Sequence, residues 1–246
     1  MRLALMADIH SNREAFDACL NHAADQSAEG YVLLGDYVGY GADPAYVVDR
    51  IMDLCAKGTK AVIGNHDAAI DGDTKAMNPI AATAIQWTRD QINPAQRKFL
   101  RDLPLSVEDD GRLFVHAEAT EPARFGYITN TESAARDLHD SQAPAVFCGH
   151  VHMPAIYGIT ATEKVMRHVP VAGVPVPLPR HRRWLVVLGS VGQPRDGNPD
   201  ACYAILDTVR SEITFHRLAY DIEAAGRKIL AAGLPEFLAT RLFIGR

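Results

Sequence analysis

Five short apolar runs in this 246-residue chain each end in residues whose side chains bind hard or borderline metal ions. LALMA leads into Asp8-Ile9-His10, and YVLL leads into Gly35-Asp36. AVI leads into Gly64-Asn65-His66-Asp67, LFV into His116, and AVFC into Gly149-His150-Val151-His152. Such runs, bounded by glycine or polar residues, read as buried strands. In open α/β sheets, ligands gather in the crevice beyond the carboxyl ends of the strands. Five strands that deliver Asp, His, Asp, Asn, His, His and His to one edge therefore predict a two-metal hydrolytic site. They also restrict the chain to folds in which those strand ends meet.

The rest of the first half alternates between the two patterns. A strand near Leu3–Ala7 precedes a helical stretch from about Asn12, followed by a strand at Tyr31–Leu34. Pro44–Lys57 reads as a helix with Asp43 as N-cap, Pro44 at its first position and Gly58 at its end. A strand at Ala61–Ile63 follows, and Asn78–Leu103 reads as two helices broken at Asn93-Pro94. This alternation predicts βαβ units. From Leu113 onward strands dominate, including Trp184–Leu188 and Tyr203–Leu206 around a loop from Gly189 to Gly197. Arg180-His181-Arg182-Arg183, after a Pro-rich stretch, reads as a solvated hairpin turn. A helix from Asp221 to about Ala232 and another starting at Pro235 close the chain. The metal motifs span both halves, so the expectation is one domain over residues 1–246.

Composition narrows the class of protein. Apolar residues make up 48% and charged residues 22%, as in ordinary globular proteins. A net charge of −5 argues against a general nucleic-acid surface. No stretch approaches the roughly 20 apolar residues that span a bilayer, and Asp8 and His10 would interrupt any signal-peptide core. Cys19, Cys55, Cys148 and Cys202 lie far apart without Cys-x-x-Cys spacing, which predicts reduced thiols and a cytoplasmic protein.

The proposed ligands have complementary chemistry. Asp8 and His10 stand two apart at a strand end, so strand alternation would send both side chains to one side. Asp36 has two carboxylate oxygens, one for each of two metals. Asn65 offers a neutral amide oxygen, and His116, His150 and His152 offer imidazole nitrogens. Two divalent ions against two carboxylates leave a positive surplus that suits a hydroxide and a phosphate oxygen. Mixed O and N donors without thiolate fit Mn, Fe, Zn, Ni or Co better than Ca or Mg.

The blocks D-x-H, G-D, G-N-H-D, H and G-H-x-H, in this order from about Arg2 to Met153, resemble those of the calcineurin-like metallophosphoesterase superfamily. The GSVGQPRDG loop and the segment AYDIEAAGRKILAAGLPEFLATRL look like its bacterial predicted-phosphodiesterase branch. The resemblance implies a four-layer αββα sandwich with two mixed β-sheets. It further implies that Asp8, His10, Asp36 and His152 hold one metal. Asp36, Asn65, His116 and His150 would hold the second, with Asp36 bridging. His66 would face the leaving-group oxygen, oriented by Asp67. The implied substrates are small-molecule phosphate esters: phosphodiesters or nucleotide polyphosphates, with monoesters or phosphoproteins as alternatives. A non-catalytic scaffold on the same fold is the rival of another class, although scaffolds of this kind typically lose ligands that are intact here. Glu118 departs from the Ser common after the His116-Ala117 pair.

Other polar residues have two readings each. Asn12 either caps the following helix or touches phosphate, and Arg13 is a surface charge or a substrate contact. Arg195 either pairs with phosphate or bonds Asp196 or a carbonyl, and the loop glycines from Gly189 serve backbone geometry or catalysis. Gly39–Asp43 stands where the mouth of a site would be. His22, His139, His168, His181 and His216 lie outside every motif and read as ordinary residues.

Overall fold

Alternation in the first apolar run sets the layering. In a computed structural model that describes all residues except Ala76 and Ala161, the run forms strand β1 (Arg2–Met6). Leu3, Leu5 and Ala7 point into one apolar cluster, Ala4 and Met6 into another on the opposite face. A strand with both faces buried needs cover on both sides.

One cover is a second sheet. β1 lies parallel to β2 (Gly30–Leu33), which lies parallel to the short β3 (Lys60–Ala61). In the other direction the sheet continues antiparallel through β11 (Ala201–Asp207), β12 (Glu212–Leu218) and β9 (Pro175–Pro177). The facing sheet runs β4 (Ser106–Asp109), β5 (Arg112–Val115), β6 (Ala145–Cys148), β10 (Trp184–Val187), β7 (Ala155–Ile159) and β8 (Val165–His168). In it β5, β6 and β10 are parallel neighbours and the other pairings are antiparallel. Both sheets are mixed, and Leu5, Val32, Phe114, Phe147, Val186 and Phe215 fill the space between them.

Helices supply the outer layers. α1 (Arg13–Asp25) and α2 (Pro44–Ala56) press Phe16, Leu20, Val48 and Ile51 onto the outer face of the first sheet. α6 (Thr131–Ser141) places Ala134 and Leu138 on the second. The expected four-layer sandwich is the architecture observed. The four cysteines are free thiols.

Helix boundaries follow capping chemistry. The Asn12 side chain accepts from the Ala15 N–H at 3.1 Å and opens α1. The break at Asn93-Pro94 separates α4 (Pro79–Gln91) from α5 (Pro94–Arg101), where Asn93 and Gln96 form a reciprocal capping box. The four-residue α3 (Asn65–Ala68) carries the Asn-His-Asp motif. α7 (Ile222–Ala231), capped by Asp221, and α8 (Glu236–Thr240) pack against α4 and the Tyr40 ring.

Three expectations need correction. Asp43 occupies the N-cap position of α2 without capping it, because its carboxylate accepts from Lys228 Nζ at 2.7 Å. Lys228 also reaches Glu14, so one cation joins α1, α2 and α7. The strand expected at Ala61–Ile63 stops at Ala61, since the Ile63 N–H turns away to the Pro104 carbonyl at 2.9 Å. Arg180–Arg183 is no hairpin turn. β9 pairs in the first sheet and β10 in the second, so this exposed segment carries the chain across the sandwich.

Phe147 is 1% exposed and stacks on Phe114 with ring centroids 5.3 Å apart. Phe147→Ala is expected to cost about 3–5 kcal/mol of stability. Urea denaturation of the metal-free protein measures it, and a loss below about 1 kcal/mol would mean that the gap between the sheets closes over the cavity.

Candidate metal centre

The six parallel strands end at one edge of the sandwich, and the loops that leave them lace together. The Asp8, His10 and Ser11 N–H groups donate to the carbonyls of Gly35, Asp36 and Tyr37, at 3.1, 2.9 and 2.8 Å. The loop after β10 joins them: the Val191 and Gly192 N–H groups donate to the carbonyls of Ala7 and Asp8. A Cβ on Gly192 would stand 1.8 Å from the Ile9 carbonyl oxygen, so only glycine allows this approach.

Five residues of the motifs have left-handed backbones: Asp8 at φ 56°, His10 at 48°, Asp36 at 55°, His150 at 67° and His152 at 63°. For residues with a Cβ this region costs about 1–2 kcal/mol each. Strain of this kind persists where the surroundings over-determine it, typically at functional sites. It also replaces the reason expected for Asp8 and His10 sharing a side. They meet because both have left the strand and turned left-handed, not because strand side chains alternate.

Two groups of donor atoms result. In one, His10 Nε2 lies 3.2 Å from His152 Nε2, and His152 Nε2 lies 3.4 Å from Asp8 Oδ1. In the other, His116 Nε2 lies 3.1 Å from His150 Nδ1 and 3.2 Å from Asn65 Oδ1. Asp36 Oδ2 stands between them, 3.7 Å from His10 Nε2 and 3.4 Å from His116 Nε2. The donors of Asp8, His10 and His152 lie within 4.8 Å of one another, as do those of Asp36, His116 and His150 and those of His10, Asp36 and His66. Each group could hold a metal ion.

The second nitrogen of each ring decides what the first one does. His10, His116 and His152 direct Nδ1 at the carbonyl oxygens of Val38, Leu34 and Gln193, at 3.1, 2.7 and 2.7 Å. A ring nitrogen against a carbonyl carries a proton, so in a neutral ring Nε2 is left as a lone pair. His10 and His152 thus aim two lone pairs at each other beside carboxylates, with no hydrogen between them. That donor set fits a cation.

Electrostatics agree. Burial holds His10 and His152 well below the ordinary histidine range, so both rings are neutral. Burial and then His116 push His150 down to about 3. Burial raises Asp8 to about 7. Burial disfavours charge on Asp36 too, but His116 and His66 hold its carboxyl well below the usual range. Burial likewise opposes charge on His116, yet the charge and hydrogen bond of Asp36 lift it to about 9. Without a metal, a proton on His116 balances the Asp36 carboxylate.

A family model for the calcineurin-like phosphoesterase superfamily domain matches residues 1–211. The chain belongs to this superfamily. It is similar to an uncharacterized protein of Methanocaldococcus jannaschii, 35% identical over 250 residues that cover 99% of this chain and 98% of that one. The crystal structure of a metallophosphoesterase from Sphaerobacter thermophilus is 36% identical, with a TM-score of 0.90 over 100% of this chain and 99% of that one. A hypothetical protein from Pyrococcus horikoshii, 20% identical with a TM-score of 0.81, shares the fold over 100% of this chain and 98% of its own.

Against this phosphoesterase fold, several expected roles change. Asp36 does not offer one oxygen to each side: Oδ1 accepts from the His66 backbone N–H at 2.8 Å, and Oδ2 alone faces both groups. Asp67 does not orient His66. Its Oδ1 accepts from the Tyr37 and Val38 N–H groups and its Oδ2 from Gly64, which staples the loops after β2 and β3. His66 Nδ1 has no hydrogen-bond partner among the described residues and abuts Gly39. Asn12 takes the capping reading: Oδ1 caps α1, and Nδ2 donates to the Gly192 carbonyl at 2.9 Å and so ties the loop after β10 to the start of the helix. Arg13 lies out on α1, over the Tyr46 ring and 3.5 Å from Asp17.

Arg195 stays near the site. Asp196 pairs with Arg217 instead, and Arg195 donates to Gln193 Oε1 at 2.9 Å with its guanidinium carbon 5.7 Å from the centre of the Tyr40 ring. Ser190 is structural, its hydroxyl donating to the Asp8 carbonyl and accepting from the Gln193 N–H. Glu118 sets its carboxylate against Gly126, outside the donor groups.

Two aromatic residues went unread in the sequence. Tyr40 packs its ring 4.7 Å from His10 and 4.5 Å from His66. Tyr127 lies 4.0 Å from His150. The Gly39–Asp43 segment signalled the first by its position after Gly-Asp. Nothing around Tyr127 signalled the second.

The Asp67 staple is testable. Asp67→Ala orphans three backbone donors, each worth about 1–3 kcal/mol when buried. A stability loss of about 3 kcal/mol or more is expected by denaturant titration of the chelated protein. Undiminished stability would show that the loops hold their course without the carboxylate.

Proposed function

We propose that this chain is a metal-dependent phosphoesterase that hydrolyses phosphodiesters or nucleotide polyphosphates. Asp8, His10, Asp36 and His152 hold one divalent transition metal ion, and Asp36, Asn65, His116 and His150 hold the other. The observation that carries this reading is the approach of the His10 and His152 Nε2 atoms to 3.2 Å, each ring with its Nδ1 against a backbone carbonyl, with Asp36 Oδ2 reaching both donor groups. Superfamily membership supports it. We read the chain as one unit, because β11 pairs with β1 and the loop after β10 buttresses Asp8. Four free thiols support a reducing compartment such as the cytoplasm.

Two divalent ions held there would supply Lewis acidity toward a water nucleophile and toward charge on phosphoryl oxygens. The protein's own groups do the rest. Arg195 places a cation beside the donor groups, where burial and that cation both disfavour charge on His152. His66 stands at the border between the donors and an open cleft of about 480 Å³, lined also by Asn65 and His150. Burial holds His66 below the ordinary histidine range. An anionic phosphate beside the ring favours its charged form, so bound substrate readies His66 to protonate a departing oxygen. The cleft is within the range that takes a substituent larger than phosphate, which supports diesters over bare monoesters.

Elemental analysis tests the ligand set. Asp36→Asn is expected to lower metal content at both positions together, while His139→Ala and His168→Ala keep two metals per chain. Two tightly held metals in Asp36→Asn would remove the bridging role. Leaving-group dependence tests His66. His66→Ala is expected to keep its metals and to lose about 10²–10⁴-fold in rate on alkyl or nucleoside esters. Nitrophenyl esters, whose leaving group departs without a proton, should slow far less. An equal loss on both classes would assign His66 to positioning phosphate.

A further inference from the structure

Every histidine and aspartate of the donor groups is at most 5% exposed, yet Tyr127, packed on His150, is 60% exposed. The chain reaches it through a short 3-10 turn at Pro122–Arg124 that ends at Phe125 in the left-handed region, φ 52°. The Tyr127 ring lies over the His150 ring at 4.0 Å with a 34° tilt, and the residue lines the cleft beside His66. Tyr40, Met77 and Phe125 line the same cleft.

The charges of this cleft are already spent. Apart from histidines, its charged lining residues are Asp73 and Arg124. Arg124 is paired with Glu121 at 2.9 Å and Asp73 with Lys75 at 3.3 Å. Among the described residues that line the cleft, a further phosphoryl group would find no cation without a carboxylate partner. A flat, uncharged group would find aromatic and thioether surface on several sides.

We infer that Tyr127 is a stacking platform for a nucleobase, so that the substrate is a nucleoside phosphodiester whose base lies in the cleft and whose phosphorus lies at the donor groups. The inference rests on the phosphoesterase reading of the same site and adds the identity of the ester group. Tyr127 is a specificity residue: one face covers His150 and the other meets the base. Stacking of a base on an aromatic side chain is tolerant of which base it is, so the platform selects for nucleosides as a class.

The test compares two probes that differ only in the base, AMP and ribose 5-phosphate, by calorimetric titration of the metal-loaded protein. AMP is expected to bind about 5- to 100-fold more tightly. Tyr127→Ala should bring that ratio close to one, with metal content and ribose 5-phosphate affinity unchanged. Tyr127→Leu, which still covers His150 with apolar surface, should behave like Tyr127→Ala, whereas Tyr127→Trp should keep the ratio. Equal binding of the two probes by the unaltered protein, or a ratio that survives in Tyr127→Ala, overturns the platform. If ribose 5-phosphate binds and phosphate esters are cleaved while the base adds nothing, the stacking inference alone falls. If neither probe binds and no phosphate ester is cleaved, the phosphoesterase reading falls and takes the platform with it.

Discussion

The structure is organised around two imidazole lone pairs that face each other. His10 and His152 donate their Nδ1 hydrogens to backbone carbonyls, which leaves both Nε2 atoms as acceptors at 3.2 Å, buried beside Asp8 and Asp36. Neutral acceptors in a low-dielectric site repel unless something positive joins them. The same arrangement recurs at His116, where the positive charge is a proton held up to about 9 by Asp36.

Holding donors in this way is costly, and the cost is spread through the backbone. Left-handed φ at Asp8, His10, Asp36, His150 and His152 amounts to several kcal/mol. The loops offset it by bonding one another: Asp8, His10 and Ser11 to the loop after β2, Val191 and Gly192 to the loop after β1, and Asp67 to both the β2 and β3 loops. The core between the sheets, with Leu5, Phe147 and Phe215 almost fully enclosed, makes the strand ends rigid enough to serve as anchors. The strain is thus held by the loops and the core behind them, which over-determine the backbone at the donors.

The elements with strong local chemistry were legible before the fold was known. Asn93-Pro94 broke a helical stretch where a capping box sits, and Asp221 opened the C-terminal helix as an N-cap should. The five apolar runs marked the strand ends because each ran straight into polar, chemically active residues. Where the reading failed, a distant partner had won. Asp43 was drawn from its helix by Lys228, which is remote in sequence, and Asp67 was claimed by three backbone donors rather than the adjacent His66. The Arg180–Arg183 turn looked like a hairpin because its neighbours read as strands, and local sequence does not encode which sheet a strand joins.

By itself the sequence determined the chemistry available: the donors, their order along the chain and the strands that carry them. These follow from side-chain type and short-range periodicity, which need no knowledge of the rest of the molecule. Only the tertiary structure decided how the donors are used. The placement of Asp36 Oδ2 between the two donor groups, the capping role of Asn12, the exile of Arg13 to the surface and the arrival of Tyr127 over His150 all depend on contacts between loops from different strands. Those contacts exist because two sheets with opposite faces buried must stack, and stacking brings to one edge residues that are more than a hundred positions apart.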